Sequence, residues 1–217
     1  MTDISIDAFF FDFDGVLADS TPIKIKAFVS LYAEHGPDVL AKVTKYAHAG
    51  EGISRVEKIR EAHLKFLGID LSHDELCVLE RRYSSLVVDA VVNCDWVPGA
   101  RAFLDAHVGR TPMFVISGTP QDEMRRIAER RGMSDYFVSV RGSPPRKPPI
   151  FRELFEKHAL AAERTLYVGD AAFDYQSASE VGLRFVGRVP HGAQSPFPEG
   201  TQTIGDLTEL PDLIKAG

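Results

Sequence analysis

Two aspartates separated by one residue follow an apolar run near the start of the chain. Residues 9–11 are all phenylalanine, Asp12 and Asp14 come next, and Gly15 follows directly. Because side chains at i and i+2 of a strand share a face, Asp12 and Asp14 should point the same way. A hard cation such as Mg²⁺ would offset the repulsion between them. The alternative is a solvated turn, in which Gly15 permits the sharp bend.

A second apolar run, residues 112–116, ends in small polar residues. Ser117, Gly118 and Thr119 follow it at once. Hydroxyls and free backbone N–H groups at a strand end suit the oxygens of a phosphate. The same residue types are also common in ordinary turns, so this segment alone does not decide between the two.

Two further segments carry charge. Lys147 lies among the four prolines of residues 144–149, which should stiffen the loop and could hold the cation in place. A solvated basic loop is the alternative. Asp170 ends another apolar run, and Asp174 follows four residues later. If Asp174 opens a helix, both carboxylates can face one ion, although an aspartate there is also a common helix cap.

All four segments lie at predicted strand-to-loop junctions. In an open α/β sheet, ligands bind outside the carboxyl ends of the strands, so the four can meet at one crevice. Their order and spacing resemble the four motifs of the haloacid dehalogenase superfamily. The resemblance extends along nearly the whole chain and implies phosphoryl transfer through an aspartyl phosphate.

The resemblance also implies a role for each residue. Asp12 would be the nucleophile and Asp14 the general acid and base, and an acid at position 14 favours phosphate esters over the substrates of dehalogenases. The phosphoryl group and the substrate would be contacted by Ser117, Gly118, Thr119 and Lys147. Mg²⁺ would be coordinated by the side chains of Asp12 and Asp170 and by the backbone carbonyl of Asp14, with Asp174 nearby.

The pattern of elements predicts an α/β fold with a Rossmann-like parallel sheet and helices on both faces. Residues 22–94 read as helices with little strand pattern, so a helical block is inserted after the first strand. We predict a catalytic core of residues 1–18 and 95–217 and a helical cap of residues 19–94. The resemblance places such a cap in the group that includes phosphoglycolate phosphatase-like enzymes and β-phosphoglucomutase.

Periodicity and caps set the predicted boundaries. The predicted strands are 6–11, 112–116, 136–140, 165–169 and 183–187, with a further short segment at 201–205. The predicted helices begin at about 22 and then span 38–48, 54–67, 72–92, 99–107, 121–131, 149–158 and 173–181, with a last one from about 207.

One cap segment, residues 50–55, combines two glycines with Ser54 and Arg55. A cation in the first turn of a helix is unfavourable for the helix dipole, and arginine makes bidentate contacts with phosphate or carboxylate. Similar segments in β-phosphoglucomutase-like caps contact the far phosphate of the substrate. We therefore predict that Arg55 contacts substrate, with Lys58 as a weaker companion. The alternative is an exposed Arg55 paired with Glu51 or Glu57.

Composition excludes several classes of protein. The 217-residue chain has a net charge of −6 and a pI near 5.6, which argues against nonspecific nucleic-acid binding. It shows neither a signal-peptide pattern nor an apolar run of about 18 residues. Cys77 and Cys94 have no metal-binding spacing and read as reduced thiols. We expect a cytoplasmic enzyme that acts on a small phosphorylated metabolite, with no membrane partner; oligomeric state stays open.

Three alternatives to a phosphatase remain. A β-phosphoglucomutase-like mutase would return the phosphoryl group to a sugar phosphate, but Lys24 stands about where that enzyme has a hinge histidine. A response-regulator receiver also groups acidic residues, a hydroxyl and a lysine around Mg²⁺, but it is much shorter and has no cap. A catalytically idle binding protein would be expected to lack one of the four motifs.

Overall fold

The structure is a computed structural model that describes residues 6–49 and 54–216. The described residues form a mainly parallel α/β arrangement. Its strands are β1 (Ala8–Phe11), β2 (Met113–Pro120), β3 (Ser139–Ser143), β4 (Thr165–Gly169), β5 (Arg184–Arg188) and β6 (Thr203–Ile204). Its helices are α1 (Thr21–Ser30), α2 (Pro37–Ala49), α3 (Arg55–Leu67), α4 (His73–Asn93), α5 (Ala100–His107), α6 (Gln121–Arg130), α7 (Lys147–His158), α8 (Ala172–Glu180) and α9 (Leu210–Ala216).

The six strands form one sheet in the order β3-β2-β1-β4-β5-β6, and every pair is parallel. β1 lies between β2 and β4, and all four of its residues are buried. A strand that is covered on both faces reads as a continuous apolar run, which explains the three phenylalanines. The predicted Rossmann-like class is confirmed. The strand order reverses beside β1, where such sheets bind ligands.

Helices α1 to α4 come between β1 and β2 in the sequence, and the described part of residues 21–93 contains no strand. Pro22 is in the first turn of α1, as predicted. Gly68 ends α3 in the left-handed conformation, and Ser72 with Glu75 forms a capping box at the start of α4. The inserted helical block is therefore defined largely by local signals.

Two chain segments connect this block to the sheet, and they lie side by side. The amide of Val97 donates to the carbonyl of Leu17 at 3.1 Å, and the amide of Asp19 donates to the carbonyl of Asp95 at 2.9 Å. Paired crossings of this kind can act as a hinge. The division at residues 18/19 and 94/95 stays a prediction.

Two predicted boundaries are wrong in an informative way. Residues Ser134–Tyr136 form a 3₁₀ turn, so β3 begins at Ser139 instead of residue 136. Helix α7 begins at Lys147 instead of residue 149, and Pro148 lies in its first turn. Proline is tolerated there because the first helical N–H groups have no partner within the helix. Lys147 is therefore held by a helix, whereas the sequence suggested a loop.

Across the described ranges, no helix is both long enough and apolar enough to span a membrane.

Candidate functional site

Asp12 follows β1 directly, at the carboxyl end of the central part of the sheet. Its amide donates to the carbonyl of Val168 in β4 at 2.9 Å, which continues the sheet register up to the site. Only 6% of the residue is exposed. The side chain is therefore placed by a buried strand that is paired on both sides, which suits a group that must meet a substrate atom in a fixed geometry.

Lys147 connects two carboxylates at this point. Its Nζ donates to Oδ1 of Asp12 at 2.8 Å, to Oδ1 of Asp174 at 2.5 Å and to the hydroxyl of Tyr167 at 2.9 Å. All four side chains are buried or nearly so. Three acceptors satisfy the three N–H donors of the ammonium group, so the Lys147 side chain is held in one position.

Burial and neighbouring charges shift the pKa of both Asp12 and Lys147. Burial raises the pKa of Asp12 to about 7, with repulsion from Asp174 and Asp14 adding to the effect and Lys147 opposing it. Burial alone would lower the pKa of Lys147, but Asp12 and Asp174 raise it above its usual range. Lys147 is thus a fixed positive charge, whereas ionised Asp12 would gain from further positive charge.

Asp174 is fully buried, and both of its oxygens are occupied. Its Oδ1 accepts from Lys147 and, at 2.7 Å, from Tyr167, whereas Oδ2 accepts from the amides of Asp170 and Ala171 at 3.2 and 3.1 Å. The sequence suggested either a helix cap or a residue that faces an ion for Asp174. Both are compatible with the structure, because the side chain accepts from amides at the start of α8 and also faces the acid cluster. A Cβ at position 169 would lie 2.4 Å from Asp174 Cβ, so Gly169 permits this approach.

Asp12, Asp170 and Asp174 each present a carboxylate oxygen within 4.8 Å of the others. An all-oxygen donor set of this kind fits a hard cation such as Mg²⁺, and a cation there would stabilise the ionised form of Asp12, whose pKa burial raises. Asp12 and Asp170 would hold the ion. Asp174 suits a supporting position because its hydrogen bonds already occupy both oxygens.

Gly15 is required where the chain turns after the second aspartate. Its φ is +72°, a conformation that disfavours side chains, and a Cβ there would lie only 1.9 Å from Oδ2 of Asp170. The turn therefore lets β1 and β4 bring their acids together.

The side chain of Asp14 lies apart from the three clustered acids. It accepts hydrogen bonds from Ser20 at 2.6 Å, from Thr119 at 3.3 Å and from Lys24, with which it forms an ion pair. Lys24 Nζ also donates to Thr119 Oγ1 at 2.6 Å. Burial would raise the pKa of Asp14, but Lys24, helped by the hydrogen bonds from Ser20 and Thr119, outweighs burial, and the pKa lies below its usual range. Helix α1 thus supplies a cation to the predicted acid and base.

Ser117, Gly118 and Thr119 lie near the end of β2, the strand beside β1. The amide of Thr119 donates to Ser117 Oγ at 3.1 Å, and both side chains are buried. Gly118 and Thr119 line the cavity above Asp12, while Ser117 lines a second, smaller cavity beside the 144–147 segment. The structure thus brings these three residues together beside Asp12.

The cavity has a volume of about 100 Å³ and lies between the sheet and the inserted helices. Residues of the sheet region and of the inserted helices line it, and they include Lys24, Arg55, Lys58 and Lys147. Its principal polar lining is Asp12, Asp14, Lys24, Arg55, Lys58, Thr119, Lys147 and Asp170. Positive side chains from α1 and α3 therefore face the acids at the end of the sheet.

Arg55 reaches this cavity but pairs with a residue that sequence reasoning did not consider. Its Nη1 and Nη2 donate to the two carboxylate oxygens of Glu123 at 2.9 and 2.5 Å, and Nη1 also donates to Ser84 at 2.6 Å. Glu57 instead accepts from Ser54. The suggested pairing with Glu57 is wrong, and Glu51 lies outside the described residues, as does the stretch 50–53.

Lys58 extends toward the same cavity from the next turn of α3. Its Nζ donates to the carbonyl of Ala47 at 2.9 Å and lies 5.2 Å from the centre of the Phe28 ring.

Three important residues were absent from the predicted site, namely Lys24, Tyr167 and Glu123. Tyr167 faces the same side of β4 as Gly169, two residues on, and that alternation was the available signal. Lys24 was noted only for its position. Glu123 lies four residues after Thr119 in the first turn of α6, where acids are ordinary helix-dipole partners, so nothing in the sequence singled it out.

Comparison with known proteins agrees with this geometry. A family model described as haloacid dehalogenase-like hydrolase matches residues 9–188. A phosphoglycolate phosphatase of Photobacterium profundum is 29% identical, covering 94% of this chain and 94% of its own length. A 6-phosphogluconate phosphatase of Escherichia coli is 27% identical, covering 97% and 96%.

The solved structure of β-phosphoglucomutase from Clostridium difficile superposes with a TM-score of 0.77 at 20% identity, covering 97% of this chain and 96% of that one. At that identity the likeness concerns the fold alone. The family model spans all four motif segments, and the expected resemblance is confirmed. From the strand order, the clustered acids and this match, the chain belongs to the haloacid dehalogenase-like hydrolases.

Proposed function

We propose that this hydrolase is a Mg²⁺-dependent phosphatase that acts on a small phosphorylated metabolite through an aspartyl phosphate. The observation that supports this most strongly is the position of Asp12. It lies buried at the end of β1, paired with Lys147, and lines a cavity that helices α1 and α3 cover.

In the first step, an Asp12 carboxylate oxygen attacks phosphorus and the bond between phosphorus and the leaving oxygen breaks. Asp14 gives its proton to that leaving oxygen, which requires that the anionic substrate draw Lys24 away, because the ion pair with Lys24 keeps Asp14 ionised. In the second step, water attacks phosphorus, Asp14 takes a proton from the water, and the bond between phosphorus and the Asp12 oxygen breaks, which regenerates the Asp12 carboxylate and releases inorganic phosphate. Bound Mg²⁺ supplies positive charge that reduces repulsion between Asp12 and the anionic substrate.

The phosphoryl oxygens are stabilised in this proposal by Lys147 and by the end of β2. Lys147 is a permanent cation beside Asp12, which suits charge that develops during transfer. Ser117, Gly118 and Thr119 offer hydroxyls and N–H groups from the neighbouring strand end. The described geometry thus supplies positive and hydrogen-bonding groups around one point.

The size and charge of the cavity favour a short leaving group. About 100 Å³ is small compared with the roughly 300–1,000 Å³ of sites for drug-sized ligands. Lys24, Arg55 and Lys58 come from the cap side and lie opposite the acids. We infer that an anionic leaving group of a few carbon atoms is read by these cap residues, and that the cap comprises residues 19–94.

Phosphate release decides between this proposal and its alternatives. The protein should release inorganic phosphate from p-nitrophenyl phosphate and, faster, from a member of a panel of phosphorylated metabolites in the presence of Mg²⁺. A mutase would instead convert a sugar 1-phosphate to its isomer when primed with a bisphosphate. The absence of both activities in folded protein would favour an idle binding protein.

A further inference from the structure

Every described cation around the cavity has an anionic or carbonyl partner within the protein. Lys147 pairs with Asp12 and Asp174, Lys24 pairs with Asp14, and Lys58 donates to a backbone carbonyl. Among the carboxylates that pair with these cations, Glu123, the partner of Arg55, is the one that neither belongs to the acid cluster nor lines the cavity. Glu123 therefore acts on the cavity mainly through Arg55, with a smaller electrostatic influence on Lys24 and Tyr83.

The Arg55 and Glu123 pair connects the cap with the core. Arg55 begins α3 in the inserted helices, whereas Glu123 is in the first turn of α6, just after the phosphate-contacting end of β2. Only 7% and 10% of the two side chains are exposed. Ser84 of α4 donates to Glu123 at 2.7 Å, and the Tyr83 ring lies 4.5 Å from the Arg55 guanidinium carbon. The pair is thus enclosed on both sides.

This arrangement uses most of the binding capacity of Arg55. Both terminal nitrogens are directed at Glu123, and only Nε has no hydrogen-bond partner among the described residues. A phosphate needs two parallel N–H donors for a bidentate contact. A second phosphate on the substrate would have to displace Glu123 or remain close to its negative charge.

We propose that Glu123 is a specificity-determining positioning residue that neutralises Arg55 and thereby disfavours substrates with a second phosphate. A leaving group with a hydroxyl or a single carboxylate can use Lys58, which lines the same cavity, and needs no bidentate contact with Arg55. For a bisphosphate, the positive charge of Arg55 is already neutralised by Glu123. The carboxylate of Glu123 also repels the second phosphate, and such like-charge repulsion across a binding site lowers affinity. This inference rests on the proposed phosphatase function and directs that function away from the bisphosphates that a mutase requires.

The test compares two substrates that differ only in the group at the far end. One is 2-hydroxyethyl phosphate, and the other is ethane-1,2-diol bisphosphate. In Glu123→Gln, the ratio of kcat/KM for the bisphosphate to that for the monophosphate should rise about tenfold. A tenfold change corresponds to about 1.4 kcal/mol, which is less than the several kcal/mol that like-charge juxtaposition can cost. The gain should appear in KM, because an unopposed Arg55 binds the far phosphate in ground state and transition state alike.

Three variants make this outcome specific. Glu123→Asp keeps the charge and should keep the wild-type ratio. Asp122→Asn removes a neighbouring exposed carboxylate from the same helical turn and should change neither substrate. In the double variant Arg55→Ala/Glu123→Gln the gain should disappear, since the gain requires Arg55.

The inference is overturned if Glu123→Gln lowers kcat/KM for both substrates by the same factor, which would mean a role in cap closure alone. It is also overturned if the gain persists without Arg55. Thermal melting of each variant verifies folding, and Glu123→Ala, which also removes the charge, keeps the comparison possible if Glu123→Gln is unstable. If wild-type protein hydrolyses neither these esters nor p-nitrophenyl phosphate, the proposed function itself fails, which is a distinct result.

Discussion

Asp12 and Lys147 are separated by 135 residues in sequence, yet Oδ1 of one lies 2.8 Å from Nζ of the other. The contact joins the end of the central strand to the first residue of α7. Because both groups are buried, neither can be replaced without leaving an unbalanced polar group. This relationship is the basis of the first and third predictions.

Asp12→Asn should abolish turnover while the fold persists. The amide keeps the shape and can still accept from Lys147, but it is a poor nucleophile. We expect activity on p-nitrophenyl phosphate to fall to about one thousandth or less, measured as released nitrophenol, with the circular dichroism spectrum unchanged. Retention of a tenth of wild-type activity would show that Asp12 is not the nucleophile.

Mg²⁺ should be required for activity and should also raise the melting temperature. Chelator should remove both effects, and Asp170→Asn should remove the thermal shift because it deletes a ligand without touching the Lys147 contacts. Ca²⁺ should substitute poorly in turnover, since its longer bonds and larger coordination number would displace the Asp12 oxygen. Full activity in metal-free buffer would defeat the metal-site proposal.

Lys147→Met should abolish turnover of every ester to the same degree, because each presents the same phosphoryl group. Removing one partner from a buried ion cluster typically costs about 3–5 kcal/mol of stability. With the internal cation gone, the acid cluster is more negative, so the stabilisation by Mg²⁺ should be larger than in wild type. Thermal shift against Mg²⁺ concentration measures this, and a smaller shift than in wild type would contradict it.

Gly15→Ala should impair activity far more than its loss of stability suggests. Ala in the left-handed conformation costs about 1–2 kcal/mol, and at this position the new Cβ would also displace Asp170. Gly132→Ala is the matched control, because Gly132 has φ +64° but a Cβ there would have no neighbour within 4 Å. Both variants should melt earlier than wild type, but only Gly15→Ala should lose Mg²⁺-dependent turnover; similar activity in the two would contradict the close-approach argument.

The inserted helices should be destabilised at mildly acidic pH through His63. Its Nδ1 lies 2.8 Å from the Tyr32 hydroxyl, and burial lowers its pKa below the usual 6.5. The unfolded chain therefore binds the proton more readily, and stability that is complete above about pH 6.5 is lost as the pH falls toward the folded-state value.

The melting temperature at pH 7.5 and at pH 5.5 measures this effect. His63→Phe should reduce the difference between the two values, whereas the exposed His73→Gln should leave it unchanged. An unaltered difference in His63→Phe would assign the acid sensitivity to other groups.

Local sequence was sufficient for the type and order of the helices and strands and for most of the acid cluster. The phenylalanine run, the capping box of Ser72 with Glu75 and the left-handed Gly68 depend on neighbours within a few residues, so their patterns are visible without the fold. Asp12 and Asp170 follow apolar runs, and parallel strands bring their carboxyl ends to one edge. That rule predicted the convergence correctly.

Contacts between distant segments were decided only by the tertiary structure. Tyr167 joins the Lys147 cluster, and Lys24 pairs with Asp14, because helices and strands far apart in sequence pack against each other. The partner of Arg55 could not be chosen from the sequence, since a local pattern offers Glu51 or Glu57 and gives no sign of Glu123, 68 residues away. An arginine side chain is long enough to reach several carboxylates, and only the packing of α3 and α4 against α6 decides which one it meets.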